Sequence, residues 1–465
     1  MNNRTISEAM LSDDIPLRTK ISYGLAGLGK DMTVAVVMIY AMYYYTDIIG
    51  LAPALIGTLF FAVKFWDAIN DPVMGMLVDT TESRFGRIKG WLLGGAILNS
   101  VLLVALFSAH HLEGSVLIAY VIVTYILWGM AFTMYEIPFW CILPNIAKTQ
   151  RAKEGLVTYP RTMISIAWLI IGSFFLQIAN KMGGGNETVG ITIFVIVLSI
   201  FFLISAVNLA VNFKENVEVG KKEKTSFKDV FKILKSNDQF LVLFAVVLSF
   251  FMIVSTVLFF AIYYFTYVIN STELFALFML VAGISEVVMQ LLVPKLLKLT
   301  TRENLTKLCF LLPLIGCAIL AYSGFFAPES KLLVATGSII IRAAHGIMLI
   351  LMILMLSDCI DYGEYKTGLR SEGIIFSAMP MQFKFGQAIV SFIMGVGLSI
   401  SGYVPNVEQS PETIAGMQAI FFLVPIAACL LSYVIYTKFY KLKGDYLENY
   451  KNMSAERQIK EEVLV

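Results

Sequence analysis

The sequence predicts an all-α membrane protein that crosses the bilayer twelve times, in two halves of six helices. Three observations predict this class. Hydrophobic residues make up 58% of the 465 residues and charged residues only 15%, whereas a soluble protein carries about 25% charged residues. Twelve apolar runs follow one another, and each approaches or exceeds the ~20 residues that a helix needs to cross the hydrocarbon core. Finally, a segment of the first half recurs in the second.

The predicted spans are separated by polar connections whose charge alternates. The spans cover residues 21–47, 53–78, 90–110, 115–143, 156–180, 188–212, 239–268, 274–297, 305–327, 331–357, 374–402 and 413–437. Lysine and arginine concentrate at both ends of the chain and on every second connection. On the opposite side only Lys181 and Lys331 are clear positives. By the positive-inside rule, we expect both termini in the cytoplasm and the chain in the plasma membrane, the inner membrane of a Gram-negative cell.

The internal repeat joins residues 41–50, AMYYYTDIIG, to residues 261–270, AIYYFTYVIN. Both copies run in the same direction, which predicts two parallel halves. This is the layout of a transporter whose site lies between two bundles. We expect an N-terminal bundle over 1–213, a cytoplasmic loop over 214–238, a C-terminal bundle over 239–440 and a cytoplasmic tail over 441–465.

The second span carries charges that a lipid-facing helix would not tolerate. Lys64, Asp67 and Asp71 share one helical face, and Asn70 adds an amide oxygen. One interpretation is a buried Lys64–Asp67 ion pair that holds two helices together, with Asp71 bonded to a neighbour. That pair leaves the second carboxylate unneutralised, whereas a bound cation or proton accounts for both.

Span 4 presents Thr133, Glu136 and Trp140 on one face, and span 1 carries the adjacent charges Lys30 and Asp31. An aromatic ring beside a carboxylate suits a sugar, because the ring stacks on its C–H face and the carboxylate accepts its hydroxyls. The alternative for Trp140 is an interfacial anchor.

Further charges lie in or at the edge of other spans. Arg161 opens span 5, where an anchoring role is the alternative, and Lys384 lies inside span 11. Arg342 and His345 lie near the middle of span 10. Because Arg342 keeps its charge, it needs an anionic ligand or a buried carboxylate, for which Glu286 is available. A structural role is expected for His345.

The connection between spans 2 and 3, predicted over Gly75–Asp79 and the basic residues that follow, carries Asp79, Arg84 and Arg87. These form either a gating latch or a plain cytoplasmic anchor, and a similar motif marks the major facilitator superfamily. No phosphate-cradling loop and no histidine cluster occurs in the sequence. We therefore expect no enzyme, no cofactor and no nucleic-acid partner.

Taken together, these motifs resemble the glycoside–pentoside–hexuronide:cation symporters, and within them the melibiose-permease type. The resemblance is carried by Tyr23-Gly24, Gly29-Lys30-Asp31, residues 42–47, residues 66–72, Ser83-Arg84, residues 124–130, residues 137–140, residues 361–364, Gly402-Tyr403 and Pro405-Asn406. It implies a major facilitator fold, alternating access and sugar uptake coupled to Na⁺, Li⁺ or H⁺. It places the cation site on Asp67, Asn70, Asp71 and Thr133. It places the sugar and charge-network positions on Lys30, Asp31, Trp140, Arg161 and Lys384.

The sugar half of the pattern departs from that type. Glu136 stands where the melibiose type has Asp, Phe132 where it has Tyr, Leu349 where it has Trp, and Met379-Pro380 where it has Gln-Thr. Melibiose is therefore not the expected substrate. We expect Lys30, Asp31, Glu136, Trp140, Arg161 and Lys384 to line a sugar pocket between the halves. Arg342 either extends this pocket toward an acidic sugar or pairs with Glu286.

The expected partners are a sugar or glycoside, a monovalent cation and membrane lipid, and the chain is expected to act as a monomer. A competing function is a cation-coupled carrier of a lipid or other amphiphile, which would require an apolar lateral opening. A sensor that does not transport would be expected to carry an added soluble domain.

Overall fold

A computed structural model describes residues 15–81, 86–147, 150–215, 236–367 and 372–444, which form helices and connections without a strand. Its long helices are α1 (Leu17–Tyr43), α2 (Pro53–Thr80), α3 (Arg87–Leu106), α4 (Gly114–Ile146), α5 (Gln150–Met182), α6 (Glu187–Asn212), α7 (Asp238–Tyr263), α8 (Thr272–Leu299), α9 (Arg302–Phe326), α10 (Lys331–Thr367), α11 (Glu372–Ile400) and α12 (Pro411–Phe439). In the described part of the chain, eleven helices are long and apolar enough to cross a membrane. Helix α2 has the length, 28 residues, but carries the charges of the predicted cation site. The twelve-helix prediction is confirmed, and the chain is a multi-pass membrane protein.

The helices fall into two compact units, Met1–Lys222 (unit 1) and Glu223–Val465 (unit 2). In unit 1, α1 packs on α5 and α6, α3 packs on α4 and α6, and α2 packs on α4. In unit 2, α7 packs on α11 and α12, α9 packs on α10 and α12, and α8 packs on α10. Adding six to each helix number converts the first set of pairs into the second. Each unit therefore repeats one six-helix arrangement in the same chain order.

The sequence repeat corresponds to a repeated backbone feature. Helix α1 ends in a widened π-helical turn over Tyr44–Ile48, and α7 ends in the same turn over Tyr264–Val268. The last residue of each repeat has a positive φ, +83° at Gly50 and +59° at Asn270. Glycine and asparagine are the residues that adopt this conformation at low cost. The repeat therefore specifies how the first helix of each unit ends.

Polar side chains fix the starts of several helices. Asn186, Asn237, Ser271, Thr301 and Ser410 each accept a hydrogen bond from a backbone N–H in the first turn of the following helix. Each such cap stabilises a helix by about 1 kcal/mol.

Helix α3 is capped from a distant part of the chain. The Glu215 carboxylate accepts from the backbone N–H of Ile88 at 2.8 Å and of Lys89 at 3.3 Å. A carboxylate at a helix N-terminus also interacts favourably with the helix dipole. Gly86 is needed here, because a Cβ at this position would collide with Glu215 Oε2 and because its φ is +92°. This contact ties the end of α6 to the start of α3.

Several helix ends differ from the predicted spans. Helix α10 was predicted to end at 357 but continues to Thr367. Polar contacts hold its extension, because Asp358 pairs with Arg302 at 2.5 Å and Lys366 pairs with Asp238 at 2.6 Å. Hydropathy predicts only the apolar part of a helix. These ion pairs stabilise a polar continuation of α10, which hydropathy does not predict.

Two further boundaries shift the predicted site residues. Gly75–Asp79, predicted as a connection, forms the last turns of α2, which ends at Thr80. Helix α5 begins at Gln150, so Arg161 lies well inside it and does not open it as predicted. Helix α5 also continues through Pro160, which therefore does not mark its start.

Candidate functional site

Lys30 joins α1 to α4 through two carboxylates. Its ammonium lies 2.7 Å from Asp31 Oδ2 and 2.5 Å from Glu136 Oε2. The side chain of Lys30 is 3% exposed, that of Asp31 11% and that of Glu136 26%. One buried positive charge thus serves two carboxylates, and the set keeps one net negative charge. Glu136 is the member most open to a ligand.

Aromatic rings surround this charge group. The Trp140 indole N–H donates to Glu136 Oε1 at 2.8 Å. The Lys30 ammonium lies 5.2 Å from the ring centre of Phe139 and 5.6 Å from that of Trp140. The exposed Arg161 guanidinium lies 4.9 Å from the Trp140 ring. The Trp140 ring, which we predicted to stack on a sugar, is therefore held at its indole N–H by Glu136. The long side chain of Arg161 contacts the face of the same ring.

Trp168 is a member of this group that the sequence analysis missed. Its indole N–H donates to Asp31 Oδ1 at 3.1 Å. A signal was available, because Trp168 follows Arg161 by seven residues on α5 and so lies on the same helical face. Asp31 thus has one oxygen held by Lys30 and the other by Trp168, which fixes its orientation.

The predicted cation residues lie where α2 crosses α4. Asp67, Asn70 and Asp71 are on α2, and Thr133 on α4 donates its hydroxyl to Asp71 Oδ1 at 3.2 Å. Asp67 and Thr133 are buried, whereas Asn70 and Asp71 are half-buried. Among the described residues, no three His, Cys, Asp or Glu side chains form a metal-binding group. Two carboxylates, an amide and a hydroxyl form a set of hard oxygen donors, which suits a small hard cation.

The alternative interpretation, a Lys64–Asp67 ion pair that holds two helices together, agrees with the structure only in part. Lys64 Nζ lies 3.5 Å from Asp67 Oδ2. Both residues belong to α2, so their pair joins no two helices. Asp71 does have a polar neighbour, Thr133, as that interpretation requires. The geometry is therefore compatible with a cation that binds between Asp67 and Asp71.

Helix α4 serves both groups of residues. Thr133, Glu136 and Trp140 lie on one face of it, and Thr133 and Glu136 are separated by about 4.5 Å along the helix axis. Thr133 contacts the cation set and Glu136 contacts the sugar set. The two predicted sites of unit 1 are thus less than one helical turn apart on the same rigid element.

In unit 2, Arg342 pairs with Glu286, the pairing that the sequence analysis set out as one of two alternatives. His345 Nδ1 lies 3.1 Å from the same carboxylate oxygen, Glu286 Oε2. The side chains of Arg342 and Glu286 are 12% and 14% exposed. Lys384 lies half-buried on α11. Their roles toward a substrate stay predictions.

The structure does not describe the side chains of the predicted gating residues. Arg84 lies outside the described residues, and the side chains of Asp79 and Arg87 are likewise not described. The latch therefore stays a prediction.

Fold and site together define a membrane transporter built from two six-helix units. The family model for MFS/sugar transport proteins matches residues 22–444. The chain belongs to this family, and it is a transporter and not an enzyme.

Two relatives align over most of their length. The chain is 28% identical over 471 residues to the uncharacterized symporter YnaJ of Bacillus subtilis (strain 168), covering 98% of each protein. It is 29% identical over 436 residues to the isoprimeverose transporter of Lactiplantibacillus pentosus, covering 92% of this chain and 89% of the relative. The crystal structure of the nucleoside transporter NupG has a TM-score of 0.63 at 12% identity, covering 90% of this chain and 99% of that chain. The similarity to the NupG structure supports only the fold, that of the major facilitator superfamily.

Proposed function

We propose that this chain imports a sugar or glycoside together with a monovalent cation by alternating access. Na⁺ is the cation that we propose, with Li⁺ and H⁺ as the other candidates. The family supports sugar transport, and the names of the two relatives, a symporter and an isoprimeverose transporter, support glycoside symport. The observation that carries the proposal is that α4 contacts both groups of residues, through Thr133 to Asp71 and through Glu136 to Lys30.

The cation would bind to Asp67, Asn70, Asp71 and Thr133. In the structure the Thr133 hydroxyl donates to Asp71. A hydroxyl that donates its hydrogen keeps two lone pairs, so Thr133 can ligate the cation while it stays bonded to Asp71. Thr133 lies less than one turn from Glu136 on the same helix. Ion binding thereby affects the position of a carboxylate that we assign to the sugar.

The sugar would bind to the charge group around Lys30. Asp31 and Glu136 accept hydrogen bonds from hydroxyl groups, and the Trp140 ring stacks on the sugar's C–H face. Lys30 is held by both carboxylates and orients them. Arg161, which is exposed beside Trp140, can either stay on the ring or donate to a hydroxyl. Lys384 and Arg342, in unit 2, remain proposed contributors.

A neutral glycoside is the substrate class that we propose. An acidic sugar bound to Arg342 would have to replace Glu286, which already neutralises the guanidinium and also contacts His345. Glu136 differs from the Asp of the melibiose type by one methylene, which shifts the carboxylate by about one C–C bond. This shift argues against melibiose itself.

The cellular setting is part of the proposal. The alternating basic connections support cytoplasmic termini in the plasma membrane, and we propose that a single chain transports. The test is an uptake screen of labelled neutral and acidic glycosides in cells that express the chain, with and without Na⁺. Na⁺-stimulated uptake of a neutral glycoside is expected. Uptake of none, or uptake of amphiphiles instead, would contradict the proposal.

A further inference from the structure

Two tryptophans lie at opposite ends of the charge group around Lys30. Asp31 binds the Lys30 ammonium through Oδ2 at 2.7 Å and accepts from the Trp168 indole N–H through Oδ1 at 3.1 Å. Glu136 repeats this division, since Oε2 binds the same ammonium and Oε1 accepts from the Trp140 indole N–H. A carboxylate with one oxygen on an ammonium and the other on an N–H is held in one orientation. The five side chains thus form a continuous series of polar contacts from α5 through α1 to α4.

Asp31 is the deeper of the two carboxylates. Its side chain is 11% exposed, whereas that of Glu136 is 26% exposed. Burial removes the water that would otherwise compensate a carboxylate, so each oxygen needs a donor from the protein. Within the described part of the chain, Lys30 and Trp168 are the donors that contact Asp31. The half-buried Trp168 therefore compensates Oδ1, the oxygen that Lys30 does not hold.

Lys30 is divided between two competing carboxylates. Its ammonium lies 2.7 Å from Asp31 Oδ2 and 2.5 Å from Glu136 Oε2. The deeper carboxylate has less water around it, so it gains more from an ammonium than the exposed one does. Without the Trp168 N–H, Asp31 would have Lys30 alone. The ammonium would then shift away from Glu136, which would keep the Trp140 N–H and lose the contact that fixes its other oxygen.

We propose that Trp168 is a positioning residue of the sugar site. By holding Asp31, it keeps the Lys30 ammonium shared between both carboxylates. Glu136 then presents its carboxylate in one fixed orientation to the hydroxyls of the sugar. This inference rests on the proposed function and adds to it a residue that acts on the sugar through others. A site whose groups are held in place before binding loses less conformational entropy when the sugar binds.

The test measures the kinetics of uptake by Trp168→Phe in cells that express the full chain. The probe is the labelled neutral glycoside that the wild type takes up fastest from a panel of methyl glycosides and disaccharides of glucose, galactose and xylose. Phenylalanine keeps an aromatic ring and removes the N–H. Because a hydrogen bond to a charged group is lost, we expect KM to rise about tenfold while the maximal rate stays within about twofold.

Two further variants separate the hydrogen bond from the packing of the ring. Trp168→Gln keeps an N–H donor and removes the ring, and its KM should lie within about threefold of the wild-type value. Trp91→Phe is the matched control, because the Trp91 indole N–H donates to the Thr81 hydroxyl at 2.9 Å, outside the charge group. This control should leave KM unchanged.

The failure of this inference can be told from the failure of the proposed function. An unchanged KM in Trp168→Phe overturns the inference, even where the maximal rate falls, because that result indicates only less folded protein. An equal rise in KM for Trp168→Phe and Trp168→Gln also overturns it and assigns the effect to the ring. Both results leave sugar symport intact. If the wild type takes up no glycoside of the panel, the proposed function fails and this inference fails with it. If Trp168→Phe does not reach the membrane, Trp168→Met, which also lacks an N–H donor, takes its place with the same expectations.

Discussion

Replacing Lys30 with Met should strongly destabilise unit 1, because two carboxylates lose their shared counter-ion. The Lys30 side chain is 3% exposed and contacts Asp31 at 2.7 Å and Glu136 at 2.5 Å. Methionine is unbranched and flexible, so it can fill the same space beside Phe139 and Trp140. The substitution therefore removes the charge while keeping most of the packing.

The size of this loss of stability depends on the hydrogen bonds that the two carboxylates retain. Removing one partner of a buried ion pair costs about 3–5 kcal/mol. Asp31 retains the Trp168 N–H at 3.1 Å, and Glu136 retains the Trp140 N–H at 2.8 Å. The Glu136 side chain is also 26% exposed, so water screens part of its charge. We therefore expect the lower end, about 3 kcal/mol, which lowers the unfolding midpoint of a domain of about 200 residues by roughly 6–12 °C.

Size-exclusion chromatography of detergent extracts, heated over a temperature series, measures this midpoint. Glu136→Gln is the matched control, since it leaves the Lys30–Asp31 pair neutral and keeps an acceptor for Trp140. Its midpoint should stay close to that of the wild type. Adding Glu136→Gln to Lys30→Met should restore part of the loss, because one uncompensated carboxylate remains instead of two. A Lys30→Met midpoint equal to the wild-type value would refute this reasoning.

Three further predictions follow from other contacts. Asn70→Ala should reduce Na⁺-stimulated uptake more than H⁺-driven uptake, because a proton needs a carboxylate but no amide ligand; equal losses in vesicle assays would contradict it. Arg342→Gln should lower uptake of neutral and acidic glycosides alike, with partial rescue by Glu286→Gln, and a loss confined to acidic glycosides would assign Arg342 to the substrate. Glu215→Ala should destabilise the fold by about 1 kcal/mol, because the carboxylate caps α3 at Ile88 N; an unchanged heating midpoint would exclude that cap.

Helical periodicity predicted the members of each candidate site that share one helix. Asp67 and Asp71 lie together on α2, and Glu136 and Trp140 lie together on α4, as their spacing predicted, and their roles toward a ligand stay predictions. The crossing of α2 and α4 then brings Thr133 to Asp71, as the family resemblance implies. The internal repeat similarly predicted two repeated halves, and the helix pairs within the two units match.

Contacts between helices were harder to predict. The sequence required partners for Lys30 and Asp31 and placed Glu136 in the same predicted pocket, but it did not identify Trp168, which lies on another helix. The end of α10 was misplaced for the same reason, since the pair between Asp358 and Arg302 stabilises helix beyond the apolar run. Hydropathy records solvent preference along the chain and carries no information on such pairs.

Transport by purified protein in liposomes tests the central claim most directly. An inward Na⁺ gradient should drive the wild type to accumulate the glycoside that the uptake screen identifies, above its external concentration. Asp71→Cys removes a carboxylate from the cation site, and should abolish Na⁺-stimulated accumulation while it keeps some binding of the glycoside. Full Na⁺-stimulated accumulation by Asp71→Cys would contradict the account and place the coupling ion elsewhere.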